Sequence, residues 1–307
     1  MPLLPDSVRV VVRGWLNCNQ VLLRSAAGHV LIDSGYAACA AETLARLRQP
    51  EALGAEPLAA LVNTHCHSDH IGGNAAVARA YGCPITIPRE EVPTIDDWSI
   101  QERWNDYVDQ YAEPFSYQAT IAAGEAFRAA DRDWEAHAAP GHDMEGLMFF
   151  DPADRILISG DALWENGLGF VWAHDPPNPF VEAALSALDT IERLGPRVVA
   201  PGHGEPFADV GGALARARSR LAAFAADPRR TARHMMKVMF VFSMLHRGGI
   251  ALAEADGYVA RVPCYRDLDE RFLGEGVEGL GVRLVEDLVR AGAMRIEGGF
   301  ASPTMPR

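Results

Sequence analysis

The chain has 307 residues, 49% of them hydrophobic, so it is long enough to form one large domain or two modest ones. It contains no apolar run near the roughly 18 residues that a membrane span needs, and its start lacks the basic head, apolar core and cleavage site of a signal peptide. Five cysteines without a repeated spacing argue against a disulfide framework and predict a reducing, cytoplasmic location.

The charge is unevenly distributed along the chain. The net charge is −13, but the part from Ala213 onward carries 15 Lys and Arg against 11 Asp and Glu, a net of +4, and the remainder carries a net of −17. This asymmetry predicts two domains with different surfaces, at residues 1–212 and 213–307.

The first third of the chain predicts strands followed by helices. Short β-branched or apolar segments separated by glycine-containing turns predict strands at residues 8–12, 21–24 and 29–33. A helix is predicted over residues 40–48 and a buried strand over 58–64. A helix that ends at Gly82 and a strand in CPITI, residues 83–87, follow further along.

The segment NTHCHSDHIGG, residues 63–73, concentrates three histidines and an aspartate at the end of a predicted strand. Alternate residues of an extended segment point the same way, so His65 and His67 can bind one metal ion, whereas Cys66 points away and is expected to pack. Asp69 and His70 fit a turn into the next helix, where they can bind a second ion. Imidazole and carboxylate groups without a thiolate pattern favour zinc, iron or manganese.

Three further candidate ligands lie at predicted strand ends in the second half. Strands at residues 134–139, 146–151 and 155–161, a helix at 179–194 and a strand that starts at 197 repeat the order of the first half. His142 lies in APGHD, Asp161 in LISGDAL and His203 in APGHGEP, each beside a glycine. The two halves predict two sheets packed face to face with helices outside.

An insertion at residues 88–117 separates the two halves. It contains six Trp, Tyr and Phe side chains, and residues 88–115 carry eight acidic and two basic residues. The insertion could be a substrate lid, or an amphipathic helix whose aromatic residues pack on the sheet. Both interpretations can hold at once.

The part beyond residue 212 predicts mostly helices. The segment MMKVMFVFSMLHRGG, residues 235–249, is apolar nearly all round and is expected to be buried. Residues 281–303 predict a helix followed by a two-stranded wing. Four basic side chains, Arg229, Arg230, Arg233 and Lys237, lie close together in the sequence.

The order of THCHSDHIGG, PGH, SGD and PGHG, preceded by LIDSG at residues 31–35, resembles the metallo-β-lactamase superfamily over roughly residues 8–212. The resemblance implies an α+β fold, a four-layer αββα sandwich with a two-metal site along one edge. The C-terminal part resembles the helical, winged-helix-like cap of one branch of that superfamily.

The resemblance also implies a ligand set and two divalent metal ions. Zinc is the first choice, with iron or manganese as alternatives. Carried over by position, the ligands of the first ion are His65, His67 and His142, those of the second are Asp69, His70 and His203, and Asp161 bridges the two.

The implied activity is that of a binuclear metal-dependent hydrolase. A hydroxide that bridges the metal ions would attack the substrate, and Asp69 would orient it as a catalytic residue. The predicted substrate is a small ester, thioester or lactone. A phosphodiesterase or ribonuclease, and an iron-dependent sulfur dioxygenase on the same scaffold, are the alternatives.

The loop after Asp161 supplies candidate substrate contacts. Trp164, Trp172 and His174 lie in a segment that must pass near the metals, and aromatic residues there could line an apolar slot. Asp33 could support a ligating histidine or merely close a turn.

The predicted partner is a small-molecule substrate. The acidic catalytic half would repel a phosphate backbone, and the charge of the tail is too dispersed for a basic stripe, so nucleic acid is not expected to bind. After His142 the sequence reads DMEGL, which departs from the pattern of glyoxalase II enzymes. The C-terminal cap is expected to pack on the sandwich or to mediate a homodimer.

Overall fold

The computed structural model of the chain describes residues 3–304, and the outer ends of the two predicted domains, residues 1–2 and 305–307, lie outside the described residues. The strands are β1 (Val8–Val11), β2 (Gln20–Leu23), β3 (His29–Ile32), β4 (Leu58–Val62), β5 (Ile85–Pro88), β6 (Ala119–Ile121), β7 (Ala126–Ala129), β8 (Arg132–Ala138), β9 (Leu147–Asp151), β10 (Ile156–Gly160), β11 (Val198–Pro201), β12 (Ile250–Ala251), β13 (Met294–Glu297) and β14 (Phe300–Pro303). The α-helices are α1 (Ala40–Leu47), α2 (Ser68–Ile71), α3 (Asn74–Tyr81), α4 (Val92–Asp96), α5 (Trp98–Val108), α6 (Pro179–Leu194), α7 (Val210–Ala226), α8 (Pro228–Arg247), α9 (Leu252–Arg261), α10 (Pro263–Leu268) and α11 (Leu280–Arg290).

Two mixed sheets form the centre of the molecule. The first has the order β1-β2-β3-β4-β5-β6, with antiparallel pairs from β1 to β3 and parallel pairs from β3 to β6. The second has the order β11-β10-β9-β8-β7, in which β10 and β11 run parallel and the other pairs antiparallel.

Within each buried strand, alternate side chains belong to different apolar clusters, because successive side chains of a strand point to opposite faces of the sheet. On β10, Ile156 and Ile158 lie in the cluster between the two sheets, whereas Leu157 lies in the cluster that also contains residues of α6 and α7. On β4, Val62 faces the other sheet, whereas Leu61 packs in the cluster that contains residues of α1 and α3. The layers are therefore helix, sheet, sheet and helix, which confirms the predicted αββα sandwich.

The chain after α7 builds a further apolar cluster. It includes buried aromatic residues of α8, α9 and α10 (Phe240, Tyr258 and Tyr265) whose rings contact one another, and a small antiparallel sheet with the order β12-β14-β13 adjoins these helices. Val108 and Phe170, which precede α6 in the chain, belong to the same cluster. The predicted helical C-terminal region is therefore present and packs directly on the sandwich, whereas its likeness to a winged helix stays a prediction.

Helix α7 connects the two parts of the chain. The boundary predicted between residues 212 and 213 falls within this helix. Its Leu214 and Leu221 pack in the cluster of the second sheet, and Pro228 starts α8 after a break at Asp227. The division into two domains stays a prediction.

Candidate metal centre

Four loops at one edge of the sandwich carry the predicted metal ligands. The segment that contains His65 and His67 lies between the end of β4 and the start of α2, and the other three loops follow β8, β10 and β11. A Cβ atom at Gly202 would overlap the carboxylate of Asp161, so glycine at this position lets the loops after β10 and β11 approach each other closely. The structure brings all of the predicted ligands together at this edge.

The first group of donor atoms consists of His65, His67 and His142. One ring nitrogen of each lies within 4.8 Å of the others. His67 Nδ1 lies 2.9 Å from His142 Nε2, and the His65 and His67 rings meet edge to face with their centroids 4.7 Å apart. Three imidazole nitrogens that converge in this way can bind one metal ion.

The second group consists of Asp69, His70 and His203. Their donor atoms again lie within 4.8 Å of one another. The Asp69 carboxylate oxygen Oδ2 lies 3.2 Å from His203 Nε2 and 3.8 Å from His70 Nε2. Asp69 and His70 both lie on the short helix α2, which turns their side chains away from the path of the preceding extended segment.

The carboxylate of Asp161 lies between the two groups. Its Oδ2 is 3.3 Å from His142 Nε2 in the first group. Its Oδ1 is 3.3 Å from His70 Nε2 and 3.6 Å from His203 Nε2 in the second. One oxygen is thus directed at each group, which is the arrangement that a carboxylate shared by two cations needs.

Hydrogen bonds on the outer side of the histidines fix the orientation of their rings. His70 Nδ1 lies 2.8 Å from Asp33 Oδ2, and Asp33 also accepts hydrogen bonds from the backbone N–H and the hydroxyl group of Thr64. His142 Nδ1 lies 2.7 Å from the carbonyl oxygen of Phe170. When the outer nitrogen donates a hydrogen bond, the inner nitrogen presents a lone pair to a metal ion.

Burial and neighbouring charges set the protonation of the centre. Burial lowers the pKa of His142 to about 4, with a further contribution from His67, and holds the pKa of His65 well below its usual value. Burial alone would raise the pKa of Asp161, but attraction to His203, His70 and His142 together outweighs it and holds that pKa well below its usual value. At neutral pH the two imidazoles are therefore neutral and the carboxylate is ionised, which is the state that binds cations.

Several ring nitrogens in the centre are buried without a hydrogen-bond partner. Among the described residues these include His65 Nε2, His70 Nε2 and both nitrogens of His203. An unpaired buried polar atom typically costs about 1–3 kcal/mol, and a bound divalent cation would supply the missing partner. The imidazole and carboxylate donors thus fit zinc, iron or manganese.

Two buried cysteines lie beside the centre. Cys18 approaches His70 and Asp33 within 4.8 Å, a proximity that its position in the sequence did not indicate. Burial raises the pKa of Cys18 to about 11, so it is a neutral thiol at pH 7. Cys66 packs in the apolar cluster on the outer face of the first sheet, and its backbone N–H donates to Glu91.

A cavity of about 200 Å³ lies against the metal centre. Aromatic side chains from four separate stretches of the chain form much of its wall: Trp15, Trp104, Trp164, Phe170 and Phe242. Val238 and Met239 of α8 also line it. Sequence reasoning did not identify Trp15, Phe170 or the α8 residues as part of the site, although the apolar character of α8 was evident.

The three predicted substrate contacts occupy different places. Trp164 lines the cavity, and its Nε1 donates to Asp161 Oδ1 at 3.3 Å. Trp172 packs on Trp104, with ring centroids 4.8 Å apart, and lines a neighbouring pocket. His174 is half-buried beside Phe180 and does not line the cavity. For all three, a role in substrate binding stays a prediction.

The insertion at residues 88–117 both packs on the sandwich and faces the cavity. Trp98 and Phe115 lie against the apolar cluster of the first sheet. Trp104, Asn105 and Val108 of α5 line the cavity. The two interpretations drawn from the sequence therefore describe different faces of the same segment, whereas opening and closing as a lid stays a prediction.

The segment beyond α5 is tied to the C-terminal helices. Asp109 forms a two-point ion pair with Arg247, with both N–O distances 2.7 Å, and also accepts a hydrogen bond from the hydroxyl group of Tyr258. Gln110 donates to Ser243 of α8 and accepts from Ser68, the residue before Asp69. A chain of side-chain contacts thus connects α8 with the helix that carries two of the predicted ligands.

Comparison with known sequences gives a family match and partial relatives. The model of the metallo-beta-lactamase superfamily matches residues 13–203. A hydroxyacylglutathione hydrolase from Synechococcus sp. (strain JA-3-3Ab) is 30% identical over 142 residues, which are 46% of this chain and 47% of that protein. The chain thus spans about half the length of the curated relatives that it matches.

Two solved structures are similar over nearly the whole chain. The metallo-beta-lactamase family protein TTHA1429 from Thermus thermophilus is 21% identical with a TM-score of 0.57, covering 99% of this chain and 100% of its own. A beta-lactamase domain protein from Burkholderia ambifaria is 20% identical with a TM-score of 0.61, covering 97% and 93%. At these identities the likeness shows the fold alone.

None of the helices between residues 3 and 304 combines the length and apolar character that a bilayer crossing requires.

Proposed function

Because the chain belongs to the metallo-β-lactamase superfamily, we propose that it is a binuclear metal-dependent hydrolase that acts on a small ester, thioester or lactone. The observation that carries this proposal is the pair of buried donor groups with the Asp161 carboxylate between them. The proposed ligands of the first ion are His65, His67 and His142, those of the second are Asp69, His70 and His203, and Asp161 serves both. Zinc is the proposed metal, because it binds both imidazole and carboxylate; iron and manganese accept the same donors.

The chain's own residues would bind and orient the reactants. Divalent ions at this site would supply Lewis acidity and lower the pKa of water from about 15.7 toward neutrality. Asp69 lines the cavity, and because attraction to His70 and His203 outweighs burial, its pKa is lowered and it is ionised at neutral pH. Its carboxylate can accept a hydrogen bond from the attacking water and direct the oxygen toward the acyl carbon. The C–S or C–O bond then breaks, and the proton from water passes to the leaving thiol or alcohol.

The lining of the cavity supports an acyl compound as substrate. Phe170, Phe242 and Trp104 offer apolar surface to an acyl chain. The name of the Synechococcus relative states hydrolysis of an acyl glutathione, which is a thioester. In this chain the residues after His142 read DMEGL, which departs from the pattern of glyoxalase II enzymes. The proposal therefore does not specify glutathione as the thiol portion of the substrate.

Metal analysis combined with a substrate panel tests this proposal. We expect about two equivalents of zinc per chain, and hydrolysis of at least one thioester, ester or lactone by the metal-loaded protein. Asp161→Asn should lower kcat/KM by more than about 100-fold, because it removes the carboxylate between the two donor groups. Asp151→Asn is the matched control, because Asp151 is buried like Asp161, pairs with Arg132 and belongs to neither donor group.

Three outcomes would contradict the proposal. The first is an Asp161→Asn variant that retains the wild-type rate. The second is cleavage of phosphodiesters alone, which would favour a phosphodiesterase or ribonuclease. The third is a single equivalent of iron together with consumption of oxygen, which would favour a sulfur dioxygenase.

A further inference from the structure

A second hollow adjoins the aromatic cavity where α7 meets α8. Its volume is about 460 Å³, and its lining consists of Arg220, Phe224, Asp227, Arg230, Arg233, His234 and Lys237. Arg220 and His234 also line the cavity at the metal centre. The two spaces are therefore adjacent, and we call the second one the basic hollow.

Three cations of the basic hollow have no acidic partner. Among residues 3–304, no carboxylate oxygen lies within 4.0 Å of a side-chain nitrogen of Arg220, Arg230 or Lys237. Arg233, by contrast, pairs with Glu275. An excess of positive charge therefore remains in the hollow.

Asp227, the carboxylate that lines the basic hollow, caps the start of α8. Asp227 is the N-cap of that helix, and its side chain accepts a hydrogen bond from the backbone N–H of Arg230 at 3.1 Å. A capping carboxylate satisfies an otherwise unpaired helix N–H group. Asp227 therefore leaves the side chains of Arg230 and Lys237 available to a ligand.

Arg220 is held in place by the loop after Asp161. Its Nη2 donates to the carbonyl oxygen of Asn166 at 2.9 Å. A Cβ atom at Gly167 would overlap the guanidinium group, so glycine there makes room for it. Burial, with repulsion from Arg230, lowers the pKa of Arg220, which indicates a partly desolvated cation that an anion would stabilise.

His234 forms an uncharged wall of the hollow. Its ring packs on Phe224 with the centroids 5.2 Å apart. Burial, with repulsion from Arg220 and Lys237, lowers the pKa of His234 to about 4, so it is neutral at pH 7. The positive charge of the hollow thus comes from arginine and lysine.

We propose that the basic hollow binds a phosphate group carried by the leaving thiol or alcohol of the substrate. This inference rests on the proposed function, because it assigns the two portions of the substrate to two adjoining spaces. The aromatic cavity suits an apolar acyl group, so the anion belongs to the other portion. A single arginine suffices to pair with a carboxylate, whereas Arg220, Arg230 and Lys237 together match the three oxygens and the near-double charge of a phosphate.

Nucleic acid is the less favoured occupant. The backbone of a nucleic acid needs a basic stripe that extends over the surface, whereas the unpaired cations of the hollow come from α7 and α8 alone. The chain as a whole carries a net charge of −13, which opposes a long polyanion.

A matched pair of thioesters tests the inference on the zinc-loaded full chain. Butyryl-pantetheine and butyryl-4′-phosphopantetheine differ only in the terminal phosphate. We expect kcat/KM to be about 10- to 100-fold higher for the phosphorylated thioester. The double variant Arg230→Gln/Lys237→Gln should bring this ratio close to one, and 0.5 M NaCl should lower it in the wild type. Because the readout is a ratio, a loss of folded protein does not change it.

Arg229→Gln is the matched control for the double variant. Arg229 precedes Arg230 in the chain, pairs with Glu275 and does not line the basic hollow. The control should keep the wild-type ratio. Equal kcat/KM values for the two thioesters, or a preference that survives the double substitution, would overturn the inference.

Direct binding separates a failure of this inference from a failure of the proposed hydrolase function. If neither thioester is cleaved, calorimetry with free 4′-phosphopantetheine tests the hollow on its own. Binding that the double variant loses would support the anion site, whereas absent or unchanged binding would overturn it. Binding of a single-stranded RNA that the double variant loses, without a preference between the thioesters, would also overturn it and assign the hollow to nucleic acid.

Discussion

Replacing Asp33 with asparagine should weaken metal binding at the second donor group. Asp33 accepts hydrogen bonds from His70 Nδ1 at 2.8 Å and from the hydroxyl and backbone N–H of Thr64 at 2.8 and 2.9 Å. Asparagine has the same shape and tolerates the left-handed backbone at this position, where φ is 59°. Its NH2 group would, however, take the place of the carboxylate oxygen that now accepts from His70 Nδ1, and two hydrogen-bond donors would then face each other. His70 would then have to present a lone pair at Nδ1 and carry its proton on Nε2, which is the nitrogen that faces the centre.

The size of the effect follows from the number and burial of these contacts. Loss of a hydrogen-bond partner behind a ligating histidine typically lowers metal affinity or activity by about 10- to 100-fold. This range corresponds to about 1.4–2.7 kcal/mol in binding free energy. The metal-free variant should also unfold more easily by about 1–3 kcal/mol, because Asp33 is only 3% exposed and one of its acceptors is replaced by a donor.

Titration of metal-free protein with zinc against a chromophoric chelator measures the affinity, and urea unfolding measures the stability. Asp151→Asn is the matched control, since Asp151 is 1% exposed, accepts a hydrogen bond from Arg132 and belongs to none of the donor groups. The control should lose stability without a change in metal affinity. If Asp33→Asn binds two zinc ions with wild-type affinity, the role assigned to Asp33 is wrong.

Three further predictions concern the C-terminal helices. The pKa of His234 is lowered to about 4, so the unfolded chain takes up a proton near pH 6.5 that the folded chain does not; stability should fall by up to about 3 kcal/mol as the pH drops from 6.5 to 4. His234→Gln should remove that part of the loss, and urea unfolding at pH 7 and pH 4.5 measures it; an unchanged difference would refute the assignment. Phe242→Ala should lower kcat/KM about 10-fold for a long apolar acyl thioester and less for an acetyl thioester, and an equal loss for both would exclude contact with the acyl chain. Asp109→Asn keeps the left-handed turn but removes the charge that pairs with Arg247, so it should reduce stability by about 0.5–1 kcal/mol in a thermal melt; a melting temperature equal to that of the wild type would contradict this.

The strands and loops of the sandwich were largely predictable from the sequence because their signals are local. Short apolar segments between turns placed β4, β8, β9, β10 and β11 within a few residues, and α6 spans the predicted residues 179–194. The short strands β6 and β7 were not predicted, because their residues are partly exposed and lack a continuous apolar pattern. Whether such a segment forms a strand depends on the strands beside it rather than on its own sequence.

The candidate centre was partly predictable for the same reason. A run of coordinating side chains such as His65, His67, Asp69 and His70 is visible in one segment of the sequence. Cys18 lies 4.8 Å or less from donor atoms of His70 and Asp33, but nothing in its own neighbourhood of the sequence indicates this. The assembly of such groups depends on how distant loops meet at one edge of the sandwich.

The lining of the cavity and of the basic hollow was the least predictable part. The apolar run at residues 235–249 indicated burial, yet Val238, Met239 and Phe242 face a cavity beside the centre. Arg220 comes from α7, whereas Arg230 and Lys237 come from α8, and only the packing of these two helices makes them neighbours. Periodicity identifies a buried face of a helix but does not show what that face covers.

Helix α8 has a consequence for how this protein could diversify. Its 20 residues extend about 30 Å, past the basic hollow and the aromatic cavity, while the proposed metal ligands all precede residue 204. The proposed ligands and the α8 part of the substrate-facing surface would thus lie on separate stretches of the chain, whereas Trp104, Trp164 and Phe170 of the cavity wall lie on the same stretch as the ligands. Substitutions at the positions of α8 that face the cavity and the hollow could adapt the protein to a new compound without altering the loops that carry the ligands.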